Sequence, residues 1–307
     1  MNAREWLATG VPGGIDGTDV AVLGAPISRA SLSPSEAWST PPAFREALAR
    51  FPTWDAEHEV DIAVLRACDL GDVPGDRDDL DATAAHARLE DATHDNATAS
   101  RALVLIGGDN SLTRPALRGL MSARADRQWG LLTLDAHHDC RPADPGSSNG
   151  TPVRELIEAG LRGDRVTQIG IHPFGNAREH AQWAYGRGVH VYGLAHVREF
   201  GVHAAVDNAL AALHGSGVDA IYVDVDLDVV DRAHAPACPA SLPGGLTPSQ
   251  LIDAVHRIAL DERVVAADIT EVDANADVNG ITVRLAATVF VGMCSAFARR
   301  RQWNQGA

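Results

Sequence analysis

No two of the four cysteines, Cys68, Cys140, Cys238 and Cys294, form a C-x-x-C pair. A structural zinc site built on thiolates therefore has no support in the sequence. The plain reading is of buried free thiols in a reducing cytosol, with the alternative open that Cys140 and Cys238, each beside a carboxylate cluster, meet in space. No uninterrupted apolar run approaches the ~18 residues of a membrane span. The longest, "LAATVFVGMCSAFA" at 285–298, is followed by "RRRQ". It reads as a buried helix whose last turn carries cations, favourable at the negative end of the helix dipole. The opening "MNAREWLATGVPGG" has no apolar stretch, so no secretory leader is expected and the chain is expected to be cytoplasmic. Basic residues are also scarce, 26 against 41 acidic, for a net charge of −15. That balance argues against nucleic acid or an anionic membrane as partner, since both select basic faces.

What is present is an ordinary globular composition, 45% hydrophobic and 22% charged over 307 residues, enough for a sizeable core. Strand-like runs occur at 20–26, 102–108, 129–137, 166–172, 189–194, 220–226 and 263–269. Most are continuously apolar, the pattern of strands covered on both faces. Helical stretches alternate with them. "PPAFREALARF" follows Thr40 as N-cap, "TPVRELIEAG" ends on Gly160, and "TPSQLIDAVHRIAL" starts with Thr247, Pro248 and Gln250. The β-α-β-α order runs on without linker or repeat. The expectation is one domain, 1–307, an α/β fold with a three-layer α/β/α sandwich around a mainly parallel sheet.

In such sheets ligands collect at the carboxyl ends of the strands. Four polar clusters fall at strand ends: "GGDNS" (107–111), "DAHHD" (135–139), "DVDLD" (224–228) and "TEVD" (270–273). In an extended strand residues i and i+2 share a side, so Asp135 projects with His137, and Asp224 with Asp226, while Asp139 curls back after the turn. Four converging carboxylates repel one another unless cations sit among them. An oxygen-rich set with one histidine favours Mn²⁺ or Mg²⁺ over Zn²⁺. Two such ions about 3.5–4 Å apart would bridge a water and make it a nucleophile, which points to metal-assisted hydrolysis. His138 points opposite to His137 and reads as packed; Asp228 and Asp231 read as caps of the following loop.

Taken in order, these motifs resemble the ureohydrolase superfamily of arginase, agmatinase and formimidoylglutamase, over roughly residues 20 to 300. The resemblance implies the arginase-like fold, two Mn²⁺ per subunit, and a homo-oligomer, trimer or hexamer. It implies that Asp135, Asp139 and Asp224 bind the deeper ion, that Asp135 and Asp224 bridge, and that His137 and Asp226 complete the second. Glu271 corresponds to the acid that accepts hydrogen bonds from the substrate amidino group.

Two positions depart from most members. Asn110 stands where a histidine ligand of the first metal is usual, and Asn149 where a proton-transferring histidine is usual. With "DAHHDCR", "SNGTP" and the early segment "SRASLSPSEAWSTPPAFREAL", the chain looks most like formimidoylglutamase. The implied reaction is N-formimidoyl-L-glutamate plus water giving L-glutamate and formamide, with Asp139 steering the nucleophile. Arg141 and Asn149 are the candidates for holding the substrate carboxylates; Arg154 reads more as a surface helix residue. The rivals are a ureohydrolase acting on another guanidino or amidino acid or agmatine, and a non-catalytic paralogue with a weakened metal site.

Overall fold

The structure, a computed structural model, describes residues 1–10, 17–144 and 146–306, and of 302–306 the backbone only. Residues 11–14 of the stretch read for a leader lie outside the described residues.

Eight parallel strands form one sheet. From edge to edge they run Ala67–Asp72, Thr18–Gly24, Ser100–Ile106, Val264–Thr270, Ala220–Asp226, Trp129–Leu134, Val166–Ile169 and His190–Tyr192. The continuous apolar runs are explained by cover on both faces. Along Ser100–Ile106, Val104 and Ile106 join a core cluster with Phe44, Val223 and Phe290, while Leu103 and Leu105 join the opposite one with Leu117, Leu131 and Tyr222. This is the three-layer α/β/α arrangement expected from the sequence.

Seven of the eight strands coincide with the apolar runs. The eighth, Ala67–Asp72 (ACDLGD), was not anticipated: it is a polar edge strand, paired only with Thr18–Gly24. A short antiparallel hairpin, Trp54–Asp55 with Val60–Asp61, also carries no sequence signal of its own.

The helix Pro248–Ala259 begins as read, with a reciprocal capping box between Thr247 and Gln250. The helix Pro152–Glu158 is followed by Gly160 at φ +114°, a conformation that glycine adopts readily. Thr40 is not a cap. It is the first residue of its helix, Thr40–Leu48, and its hydroxyl donates to the Val272 carbonyl beside Glu271. The C-terminal helix runs Ile281–Gly306, so Arg299–Arg301 are interior to it. Arg301 reaches Asp19 at 2.7 Å, and Arg300 bonds the carbonyls of Asp261 and Val264. The helix is long and apolar enough to cross a membrane, but 72% of its apolar window is buried in the protein.

Candidate active site

The strands end where their polar clusters begin. Trp129–Leu134 stops just before Asp135, Ser100–Ile106 before Gly107, Ala220–Asp226 at Asp226, and Val264–Thr270 at Thr270, one residue before Glu271. Adjacent parallel strands therefore bring Asn110, Asp135, His137, Asp139, Asp226 and Glu271 to one rim. Of the four non-glycine residues at positive φ among the described residues, two are in this group: Asp139 at 51° and Glu271 at 62°. Such conformations cost energy and persist where the surroundings over-determine them.

Asp228 enters the site instead of capping the loop. After Asp226 the chain turns into a short 3₁₀ segment, Leu227–Val229, which folds Asp228 back toward the rim. Its carboxylate lies 2.8 Å from His137 Nδ1 and accepts from the Ala136 amide at 3.2 Å. Asp135 Oδ1 lies 3.6 Å from the same imidazole nitrogen. Asp135, His137 and Asp228 thus offer donor atoms within 4.8 Å of one another.

Asp224 sits one residue pair deeper. In the ladder it stands opposite Asp268 on one side and Thr133 on the other. Burial, then Asp268, holds its carboxyl well above the usual carboxylate range, and both of its oxygens are buried without a hydrogen-bond partner among the described residues. Asp268 accepts from Tyr222 at 2.6 Å and Thr113 at 2.8 Å. Asp231 does cap its loop, accepting from Ala233 and Gly244.

Asn110 is turned away from a ligand role. Its amide nitrogen donates to Asp139 Oδ2 at 2.7 Å, and its oxygen accepts from the Thr270 hydroxyl at 2.9 Å and lies 3.1 Å from the Thr113 hydroxyl oxygen. Glu271 Oε1 accepts from the Asn110 backbone at 2.8 Å and from Asn149 Nδ2 at 2.9 Å. Asn149 Oδ1 in turn accepts from the Leu32 amide.

The electrostatics match a cation site. Burial and then Asp228 raise Asp135 to about 6. Burial raises Asp139 and Asp226 well above the carboxylate range, with like charges adding to it. Burial, then Asp109, raises Glu271 to about 8. Burial opposes charge on His137, yet Asp228 and Asp135 push it up to about 12, and His137 in turn keeps Asp228 low. Protons there take the part that a divalent ion would play. Asp135 Oδ2, Glu271 Oε2 and both Asp224 oxygens are buried with no hydrogen-bond partner among the described residues; of these, Asp135 and Glu271 stand past the strand ends, at the rim where a ligand can reach them.

The site opens through a narrow cavity of about 120 Å³, lined by His137, Asp139, Arg141, Asn149, Asp226 and Asp228 among others. Leu32, Arg141 and His180 also line a larger adjoining cavity of about 920 Å³. Arg141 makes no ion pair among the described residues, whereas Arg154 pairs with Glu158 at 2.8 Å and lies over Trp183. His138 is packed, 2.7 Å from Gln168. All four cysteines are free thiols. The sequence reading missed Asp228 and His180. For Asp228 a signal existed, since "DVDLD" contains a second D-x-D frame; for the lone His180 there was none.

A second group, Asp55, His58 and His256, is closed. Asp55 accepts from Ser295 and His58, the His58 and His256 rings stack at 4.0 Å, and Arg299 faces His256.

The arginase family model matches residues 18–295. A formimidoylglutamase of Halalkalibacterium halodurans is 39% identical over 282 residues, 90% of this chain and 86% of that protein. The crystal structure of formimidoylglutamase from Bacillus subtilis superposes with a TM-score of 0.87 at 30% identity, covering 94% of this chain and 89% of that one. A Trypanosoma cruzi formiminoglutamase solved with Mn²⁺ shares the fold at 23% identity, with a TM-score of 0.87 and coverage of 96% and 98%.

Proposed function

Because the chain belongs to the arginase family, we propose that its site hydrolyses N-formimidoyl-L-glutamate to L-glutamate and formamide. The near full-length similarity to formimidoylglutamases supports the substrate. The observation that carries it in the site is Glu271: a buried carboxylate with one oxygen fixed by two donors and the other unpartnered.

Asp135, His137, Asp139, Asp226 and Asp228 would hold a pair of Mn²⁺ ions; Asp228 takes the place that the resemblance gave to Asp224. The donor set, four carboxylates and one imidazole, suits manganese. When bound, manganese supplies Lewis acidity and lowers the pKa of water. Two divalent ions also balance the four carboxylates.

The chain's own groups supply the rest. Glu271 Oε2 accepts an N–H of the formimidoyl head, and the approach of a cationic amidine favours its ionised form. Asp139, steadied by Asn110, holds the proton that water gives up and delivers it to the leaving nitrogen. Water oxygen bonds to the formimidoyl carbon and the bond to the glutamate nitrogen breaks; the amidinium nitrogen already carries the two hydrogens of formamide, so both protons of the water end on the glutamate nitrogen, which leaves as an ammonium. Arg141, without an acidic partner among the described residues, faces a substrate carboxylate at the mouth.

The test is a panel on one manganese-loaded preparation. Formamide should appear from N-formimidoyl-L-glutamate. Urea from arginine, agmatine or guanidinobutyrate, with no formamide, would contradict the assignment.

A further inference from the structure

The segment from Ile27 to Leu32 crosses behind the site in close contact with it. A Cβ on Gly108 would lie 2.0 Å from the Ile27 carbonyl, so only glycine admits that approach. Two buried carboxylates then take its amides in turn. Asp76, fully buried and lining neither cavity of the site, accepts from Ser28 at 2.9 Å and Arg29 at 2.7 Å. Asp109 accepts from Ala30 at 3.1 Å.

Beyond this clamp the segment grips Asn149 from both sides. The Ala30 carbonyl accepts from the Asn149 backbone N–H at 3.0 Å, and the Leu32 backbone N–H donates to Asn149 Oδ1 at 3.0 Å. With its oxygen held there, Asn149 can present only Nδ2 to Glu271 Oε1, at 2.9 Å. That bond, with the one from the Asn110 backbone, occupies one oxygen of Glu271 and leaves Oε2 without a partner.

We infer that Asp76 is a positioning residue for Glu271, acting through the segment 28–32 and Asn149. The inference rests on the reading of Glu271 as the group that receives the formimidoyl N–H. A carboxylate suits the task because it can accept from successive amides at once, and charge-assisted bonds of this kind are short and strong. An amide in its place keeps one acceptor oxygen and turns a donor toward an amide that is itself a donor.

The experiment is a double-mutant cycle of formamide release with Asp76→Asn and Asn149→Ala. Each single change is expected to lower kcat/KM about tenfold or more, the loss of one charge-assisted bond. The double variant is expected to match Asn149→Ala alone within about twofold, because both changes break one linkage. Multiplying losses would overturn the inference, as would wild-type turnover in Asp76→Asn. If Asp76→Asn does not fold, Leu32→Pro and Leu32→Ala probe the same link in an exposed loop. Only proline removes the amide that holds Asn149, so the proline variant should fall further than the alanine variant by the Asn149→Ala factor; equal losses would overturn the inference. A crystal structure of Asp76→Asn gives a readout independent of turnover. The Asn149–Glu271 contact is expected to open beyond hydrogen-bond distance, and an unchanged contact would refute the link. A wild-type protein that releases no formamide would count against the reaction, leaving that structural outcome to decide the linkage.

Discussion

Replacing Asp228 should remove metal binding, and replacing Asp224 should not. The motif "DVDLD" offers both as ligands, and the structure separates them. Asp228 reaches His137 at 2.8 Å and the Ala136 amide at 3.2 Å, at the lip of the narrow cavity. Asp228→Asn removes one anionic donor from beside His137. Losing even an outer partner of a metal ligand costs about 10–100-fold in affinity, so losing a donor itself sets the expected loss at ~100-fold or more. Asp224 lies a ladder pair deeper, opposite Asp268, and is not among the donor atoms that Asp135, His137 and Asp228 bring together. Asp224→Asn removes no donor from that group, so its effect should stay under about 1 kcal/mol, roughly fivefold. The assay is titration of metal-free protein with Mn²⁺, following the paramagnetic resonance of the free ion. Full affinity in Asp228→Asn together with lost affinity in Asp224→Asn would refute the reasoning.

Glu271→Gln should cut kcat/KM by about a hundredfold, as removal of one preorganised polar partner typically does; wild-type formamide release would take Glu271 out of the site. Asn110→His should tighten Mn²⁺ binding by putting an imidazole where an amide now serves Asp139, and unchanged affinity in a titration would count against that placement. His86 gives a pH dependence of stability. Burial, then Arg114, lowers it to about 4, so between about pH 6.5 and 4 the unfolded chain binds the proton and the folded one does not. Stability from this group is present above the unfolded pKa and is lost as pH falls toward 4, on the order of 3 kcal/mol in all. Thermal midpoints of His86→Gln should fall less steeply over that range than those of wild type; parallel slopes would contradict it.

Much of this architecture was legible because the physics was local. Continuous apolar runs mark strands buried on both faces, and each run's abrupt polar end marks the rim. The edge strand Ala67–Asp72 was not legible: it pairs on one side only and needs no apolar run. The choice between Asp224 and Asp228 fails for another reason. Alternation along a strand places residues on one side but does not say where the strand stops. It stops at Asp226, and the turn beyond it carries Asp228 inward. Asn110 looked like a weak ligand because its position was known and its partners were not. The Thr270 hydroxyl, 160 residues away in sequence, claims its oxygen.

Anomalous diffraction from crystals of the manganese-loaded protein tests the central claim most directly. Two manganese peaks are predicted among Asp135, His137, Asp139, Asp226 and Asp228. Peaks against Asp224 and Asp268 instead, or none within reach of His137, would contradict it.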